Sequence, residues 1–413
     1  MISSAGRVLT HAREHGWRSA TTKVLQKAAV KTLENLAWAE PTLPLRPEDI
    51  VDVHVPRISD TPRPRTGNLE IGWVCTPPGP GSGGHTTFFR MVQGMAERGH
   101  RCTLFLYDQN SDDVSRHASV IRQYWPDVDA RIRSVTDGFE GMDAVVASSW
   151  PTAYATASRR TRDIHSFYFI QDYEPYFYPR GTLYWLAENS YRLGFTNIAL
   201  GEMISAVLKA EIGQEPAATV PFACDTTTYR LLDGPGTKAP RQGVLYYAKR
   251  AVDRRGYLLA KLALEQFHAL HPEQEIHVYG DKITGWSIPV SNHGNLSPAA
   301  LNELYNRTIA GLAISFTNIS LVPEELLAAG NVPVVNESDF AAQVLRDPDV
   351  VWAPATPKRM AEALAQAVEA PDTAARALAI ARRQRLDWSV SRENFAAVLE
   401  SVCANHVGSP GQP

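Results

Sequence analysis

Cysteine is scarce in this chain, and the four present, Cys75, Cys102, Cys224 and Cys403, lie far apart and form no CxxC pair. That excludes a disulfide framework and a thiolate zinc site, and it fits a reducing cytosol. No run of about 18 apolar residues occurs and no signal-peptide pattern is present, so the chain is expected neither to span a membrane nor to be exported. Positive charge is not in excess: the net charge of -3 is unlike that of a nucleic-acid-binding protein, which normally displays a basic domain. No metal-ligand cluster is visible. The glycines of GPGSGG lack the spacing of a dinucleotide fingerprint.

Apolar sequence, by contrast, is plentiful. A chain of 413 residues with a hydrophobic fraction of 44% exceeds what one core organises and suffices for two. The stretch 311–337, GLAISFTNISLVPEELLAAGNVPVVNE, sets the pattern. Two short apolar runs without alternation suit strands buried on both faces of a parallel sheet, and the segment between them has helical spacing with Gly330 as its stop. Ser320 is expected to cap that helix, with Pro323 in its first turn. Its start then offers backbone NH groups from Ser320, Leu321 and Val322 to an anion at the carboxyl end of a strand.

In chain order, residues 1–36 interleave basic and apolar side chains, as a helix does when it lies on an anionic membrane surface or packs with a solvated basic face. A proline-rich connector follows to residue 66. Strands are expected at 69–75, 102–108, 144–150, 166–172 and 197–202, then at 243–250, 275–280, 310–316, 331–337 and 350–356, with helices between. The predicted fold is α/β, two doubly wound Rossmann-like domains facing a cleft. The first spans 67–230, the second 241–385, and a helix at 386–404 crosses back to the first.

Chemistry-bearing residues fall where such sheets place ligands. Gly83 and Gly84 let a ligand approach the backbone at a helix start, with His85 beside them. Gln171, Asp172 and Glu174 follow a strand, amid Tyr173, Tyr176, Phe177, Tyr178, Tyr184 and Trp185. This is either a carbohydrate-binding surface or an aromatic loop packed between domains. Arg250 ends the first strand of the second half and Arg255 precedes Gly256; both are expected to face the mouth that the Ser320 helix start faces. Glu325 suits a ribose hydroxyl, and Tyr279, Gly280 and Leu296 suit a base pocket.

These residues resemble a retaining glycosyltransferase of the large family 4, the two-Rossmann-domain (GT-B) type. KRAVDRRG is similar to that family's diphosphate-binding element, with Arg250 in the Arg place and Arg255 in the Lys place. TNISLVPEELLAAGNVPVV is similar to its sugar- and ribose-binding element, with Glu325 matching the second of two glutamates and Thr317 standing where the first would be. GSGGHTTFFRMV and FYFIQDYEPYFYPRGTLYWLAENSYR look like the WsaF-like rhamnosyltransferases, which use dTDP-rhamnose. The resemblance implies transfer of a sugar, L-rhamnose from dTDP-L-rhamnose, to a cell-surface polysaccharide or lipid-linked glycan. It implies a metal-independent reaction with no cofactor beyond the nucleotide-sugar donor. Asp172 would orient or deprotonate the acceptor hydroxyl, and Gln171, Glu174, Tyr176 and His85 would hold the acceptor. The place of action would be the cytoplasm or the cytoplasmic face of the inner membrane. UDP- or GDP-hexose donors, a sugar-nucleotide epimerase and a non-catalytic glycan-binding subunit are the alternatives.

Overall fold

Apolar runs without polar alternation become the central strands of two wholly parallel sheets. In the computed structural model, residues 43–53, 62–232 and 240–405 are described. The chain divides into the units Met1–Pro44 and Leu45–Pro413. Of the first, only Leu43 and Pro44 are described, so the basic amphipathic segment expected at 1–36 lies outside the described residues. Everything below concerns the second unit.

Its first sheet contains β1 (Glu70–Cys75), β2 (Arg101–Leu106), β3 (Arg131–Ser134), β4 (Ala144–Ala147), β5 (His165–Ile170), β6 (Thr196–Leu200) and β7 (Ala218–Val220). The second contains β8 (Val244–Ala248), β9 (Ile276–Gly280), β10 (Ser291–Gly294), β11 (Ala310–Leu312), β12 (Val332–Asn336) and β13 (Val351–Ala353). The orders are β3-β2-β1-β4-β5-β6-β7 and β10-β9-β8-β11-β12-β13. Both are doubly wound, and the order reverses between β1 and β4 and between β8 and β11. Ligands of such sheets bind outside the carboxyl ends of the strands at that reversal.

The helices of the first half are α1 (Gly83–Glu97), α2 (Ser115–Tyr124), α3 (Trp150–Arg159), α4 (Thr182–Ser190) and α5 (Gly201–Ile212). Those that follow are α6 (Tyr257–Leu270), α7 (Pro298–Arg307), α8 (Val322–Ala328), α9 (Asp339–Ala342), α10 (Pro357–Glu369), α11 (Thr373–Ala381) and α12 (Trp388–Ala404). Among the described residues no helix is long and apolar enough to cross a membrane. Strands β3, β7 and β10 were not expected from sequence. β3 and β10 are edge strands with polar sequences, RIRS and SNHG, and β7 is three residues long.

α12 belongs to the second half in sequence and to the first half in packing. Phe395, fully buried, stacks on Trp73 at 5.6 Å between centroids and meets Phe169 edge-on at 5.2 Å. Trp388, Ala396, Leu399 and Cys403 join the same core as β1, β2 and α1. The chain therefore passes between the halves twice, and the two passages touch: Cys224 N donates to Leu386 O at 2.9 Å and Thr226 Oγ1 to Asp387 Oδ2 at 3.0 Å.

Candidate active site in the cleft between the sheets

At the first reversal, the loop after β1 carries the glycines. A Cβ on Gly83 would lie 3.8 Å from Leu321 Cδ1, and one on Gly84 would lie 3.9 Å from Gln171 Oε1. The glycine loop thus faces both the start of α8 and the loop after β5. His85 is fully engaged in holding that loop. Nε2 donates to Thr76 O at 2.9 Å, so Nδ1 accepts from Ser82 Oγ at 2.7 Å, and burial keeps the ring neutral by lowering its pKa. With both nitrogens used, His85 shapes the loop and offers no hydrogen bond to an acceptor.

At the second reversal, Asp253–Arg255 form a 3-10 turn closed by Gly256 at φ +63°. A Cβ there would sit 2.5 Å from Ile314 Cγ2, so only glycine permits both the left-handed conformation and the close approach. The turn aims Arg255 into the cleft, where it donates to Ser315 Oγ at 2.7 Å and Asn318 Oδ1 at 3.3 Å. Burial lowers its pKa, although a guanidinium stays charged. Arg250 is placed differently. Its side chain is exposed and lies over the Tyr257 ring at 5.9 Å, while its backbone N donates to Asp281 Oδ2 at 2.7 Å. Arg255 is thus partly buried and hydrogen-bonded, whereas the Arg250 side chain is exposed and makes its ring contact with Tyr257.

α8 begins one residue later than expected. Its N-cap is Leu321, in helical conformation and without a side-chain cap, and Pro323 lies in the first turn. Ser320 is therefore not the cap. Gly311 explains how closely the helix sits on the sheet, because a Cβ there would lie 2.6 Å from Leu326 Cδ1. Within α8, Glu324 turns to Arg385 at 2.9 Å, whereas Glu325 turns to Tyr305. Tyr305 OH donates to Glu325 Oε2 at 3.2 Å, and Tyr279 OH in turn donates to Tyr305 OH at 2.8 Å. Burial pushes the Glu325 carboxyl up to about 7. Tyr279 stacks on Tyr247 at 5.0 Å and Leu296 packs beside them. Gly280 keeps φ +91° with Ala248 O 2.5 Å from where its Cβ would be.

The loop after β5 brings Asp172 to the meeting of the halves. Asp172 is 6% exposed; Thr317 Oγ1 donates to its Oδ2 at 3.1 Å, and Arg254 Nε lies 3.9 Å from the same oxygen. Desolvation raises its pKa to about 6, opposed by Arg254, Arg255 and the Thr317 hydroxyl. Gln171 O accepts from Asn318 Nδ2 at 3.3 Å. Glu174 points away, toward the start of α3. Its Oε2 accepts from Trp150 N at 2.5 Å and from Tyr168 OH at 3.4 Å, and desolvation, aided by the Asp172 charge, pushes it up to about 8. Burial thus raises both neighbouring carboxyl groups, Glu174 further than Asp172, which Arg254, Arg255 and the Thr317 hydroxyl pull back; perturbed carboxyl groups of this kind are typical of functional clusters.

The aromatic residues around Asp172 pack mainly on one another. Tyr173 is buried, stacked on Tyr191 at 5.6 Å and met edge-on by Tyr176 at 4.7 Å. Tyr178 OH accepts from Trp150 Nε1 at 3.1 Å. The Tyr176 hydroxyl is directed to Glu211 at 2.8 Å. Of this group Trp185 is 49% exposed, Tyr176, Phe177 and Tyr178 are half-buried, and Tyr173 and Tyr184 are buried. Arg254, Asn318, Ser315 and Tyr305 were missed in the sequence. Only the adjacency of Arg254 to Arg255, and of Asn318 to Thr317, pointed to them.

Residues 118–203, which include β5 and Asp172, match the family described as WsaF, N-terminal domain. Over 278 residues, 61% of this chain, the sequence is 28% identical to the O-antigen biosynthesis protein RfbC of Myxococcus xanthus. The chain spans only 20% of that relative's length. Among solved structures, Anabaena HepE in complex with UDP and glucose superposes with a TM-score of 0.63 at 14% identity, over 81% of this chain and 100% of that one. WaaG, a glycosyltransferase involved in lipopolysaccharide biosynthesis, superposes with a TM-score of 0.57 at 15% identity, over 79% of this chain and 99% of that one. At these identities the likeness is one of fold, and the fold is GT-B.

Proposed function

We propose that the chain is a glycosyltransferase that binds a nucleotide-sugar in the cleft and transfers its sugar to a growing cell-surface polysaccharide or lipid-linked glycan. The observation that carries this reading is that both sheet reversals open on one cleft, with the Arg255 guanidinium on one wall and the buried Asp172 carboxyl on the other. Arg255, with the backbone of Ser320, Leu321 and Val322, stabilises the departing diphosphate. Fixed charge aimed at a developing anion is usually the largest single contribution to such catalysis. Glu325, presented beside Tyr305, takes the ribose hydroxyls, and the Tyr247, Tyr279 and Leu296 surface takes the base. Asp172 orients a hydroxyl at the transfer centre.

The donor we favour is dTDP-L-rhamnose, used with retention and without a metal ion. Support comes from the WsaF-type match around Asp172 and from an O-antigen biosynthesis relative. A deoxysugar, which carries a methyl group at position 6, also suits a cleft where Thr317 stands in place of a carboxylate. Action at the cytoplasmic face of the inner membrane follows from the same reading, with the segment 1–36 as the contact.

A thermal-shift panel with dTDP, UDP, GDP and ADP, followed by dTDP-rhamnose, tests the function. A ligand at about 100 times its dissociation constant stabilises the fold by about 2.7 kcal/mol. Selective stabilisation by dTDP and its rhamnose conjugate supports the donor assignment, and preference for UDP or GDP discards it. In Arg255→Ala, loss of charge-assisted bonds of about 1.5–3 kcal/mol each weakens nucleoside diphosphate binding at least tenfold. No shift with any nucleotide favours the glycan-binding, non-catalytic reading instead.

A further inference from the structure

Two enclosed polar atoms where the halves meet make no hydrogen bond: Asp172 Oδ1 and Arg254 Nε. The other Asp172 oxygen is already bonded to Thr317. Arg254 is fixed from two sides. Its guanidinium lies over the Phe177 ring, 4.2 Å from the centroid, and its carbonyl accepts from Phe316 N at 3.0 Å. Its Nε stands 3.9 Å from Asp172 Oδ2, beyond hydrogen-bond range. An enclosed donor and an enclosed acceptor left open on neighbouring residues are costly.

We propose that Arg254 is a substrate-binding residue, and that Arg254 Nε and Asp172 Oδ1 together receive one hydroxyl of the transferred sugar, which accepts from the guanidinium and donates to the carboxylate. The chemistry of the pair selects this group. A phosphate only accepts and brings no proton to the open Asp172 oxygen, an ammonium only donates and is repelled by Arg254, and a hydroxyl does both. Position selects the transferred sugar. Arg254 is the chain neighbour of Arg255, which would hold the diphosphate to which that sugar is bonded. Asp172 and Phe177 come from the first half, and Arg254 and Thr317 from the second, so the subsite is complete only with the cleft closed. This proposal rests on the glycosyltransferase reading above.

Calorimetric titration of the full chain with dTDP, UDP, GDP and ADP, and then with the sugar conjugates of whichever binds, tests it in wild type, Arg254→Gln and Arg254→Lys. The expected result is that both variants bind the nucleoside diphosphate within about twofold of wild type but bind its sugar conjugate about tenfold or more weakly. Lysine keeps the charge but lacks the planar stacked fork, so its loss identifies the Nε contact rather than the charge. Equal weakening of nucleoside diphosphate and conjugate would make Arg254 a phosphate ligand and overturn the proposal. Unchanged affinity for both would leave a purely structural contact and also overturn it. A wild-type chain that binds none of the four nucleotides would refute the glycosyltransferase reading itself, and with it this subsite.

Discussion

Replacing Thr317 by valine removes one hydroxyl from a site that is 2% exposed and leaves the side-chain shape nearly intact. The hydroxyl donates to Asp172 Oδ2 at 3.1 Å. A hydrogen bond to an ionised group contributes about 1.5–3 kcal/mol and one between neutral groups about 0.5–1.5 kcal/mol. The variant should therefore lose about 1.5–3 kcal/mol at pH 8, where Asp172 is ionised, and only about 0.5–1.5 kcal/mol at pH 5, where it is protonated. The difference, roughly 1–1.5 kcal/mol, equals about one pH unit, which moves the Asp172 pKa from about 6 to roughly 7.

The sign follows from the direction of the shift. Asp172 titrates above the ordinary carboxyl value of 3.8, so the folded state holds the proton more tightly. The group's contribution to stability therefore falls as pH rises from about 4 to about 6 and is flat above that. Valine prolongs the fall by about one unit. Thermal unfolding of both proteins at pH 5, 6, 7 and 8 reads this out, at about 2–4 °C per kcal/mol for a domain of this size. These losses are upper bounds, because opening of the cleft rehydrates the carboxylate. A variant equally destabilised at pH 5 and pH 8, or more so at pH 5, would refute the reasoning.

Glu325→Gln keeps an oxygen for Tyr305 and removes a charge whose burial lifts its pKa to about 7. The wild type's stability loss between about pH 4.5 and 7 should shrink in the variant, while nucleotide affinity falls; chemical denaturation across pH and calorimetry check the two effects. Gly256→Ala forces a side chain into φ +63° against Ile314 and should cost at least about 1–2 kcal/mol, with weaker nucleoside diphosphate binding because the Arg255 turn shifts. Phe395→Ala empties a fully buried site between Trp73 and Phe169 and should lower stability by about 3–5 kcal/mol in denaturant unfolding.

The doubly wound halves were legible because every central strand is an apolar run with helices on both sides, as β1 and β12 illustrate. The edge strands β3 and β10 were not, since they are held by backbone pairing to β2 and β9 and have no apolar face to announce them. In the site, Asp172 meets Thr317 across the halves, and the glycine loop lies beside Leu321 and Gln171. How Arg254 and Arg255 of KRAVDRRG are presented there depends on a single left-handed glycine and one 3-10 turn, and composition carries no such information. The aromatic run after β5 was ambiguous for a related reason. A tyrosine that stacks on a neighbour and one that meets a sugar have the same sequence signature, and only the packing of Tyr173 against Tyr191 separates them.

The return of α12 to the first half bears on how the protein is made. Domains generally fold in order as they leave the ribosome, yet the core of the first sheet includes Trp388, Phe395 and Leu399. Until about residue 404 has emerged, the earliest-synthesised half has an uncovered apolar face beside Trp73 and Phe169, while the half synthesised after it already has its strands. The first domain is thus begun first and finished last. A chain ended at residue 385 and held clear of the ribosome by a long unstructured linker should have a second half that resists protease and a first half that does not.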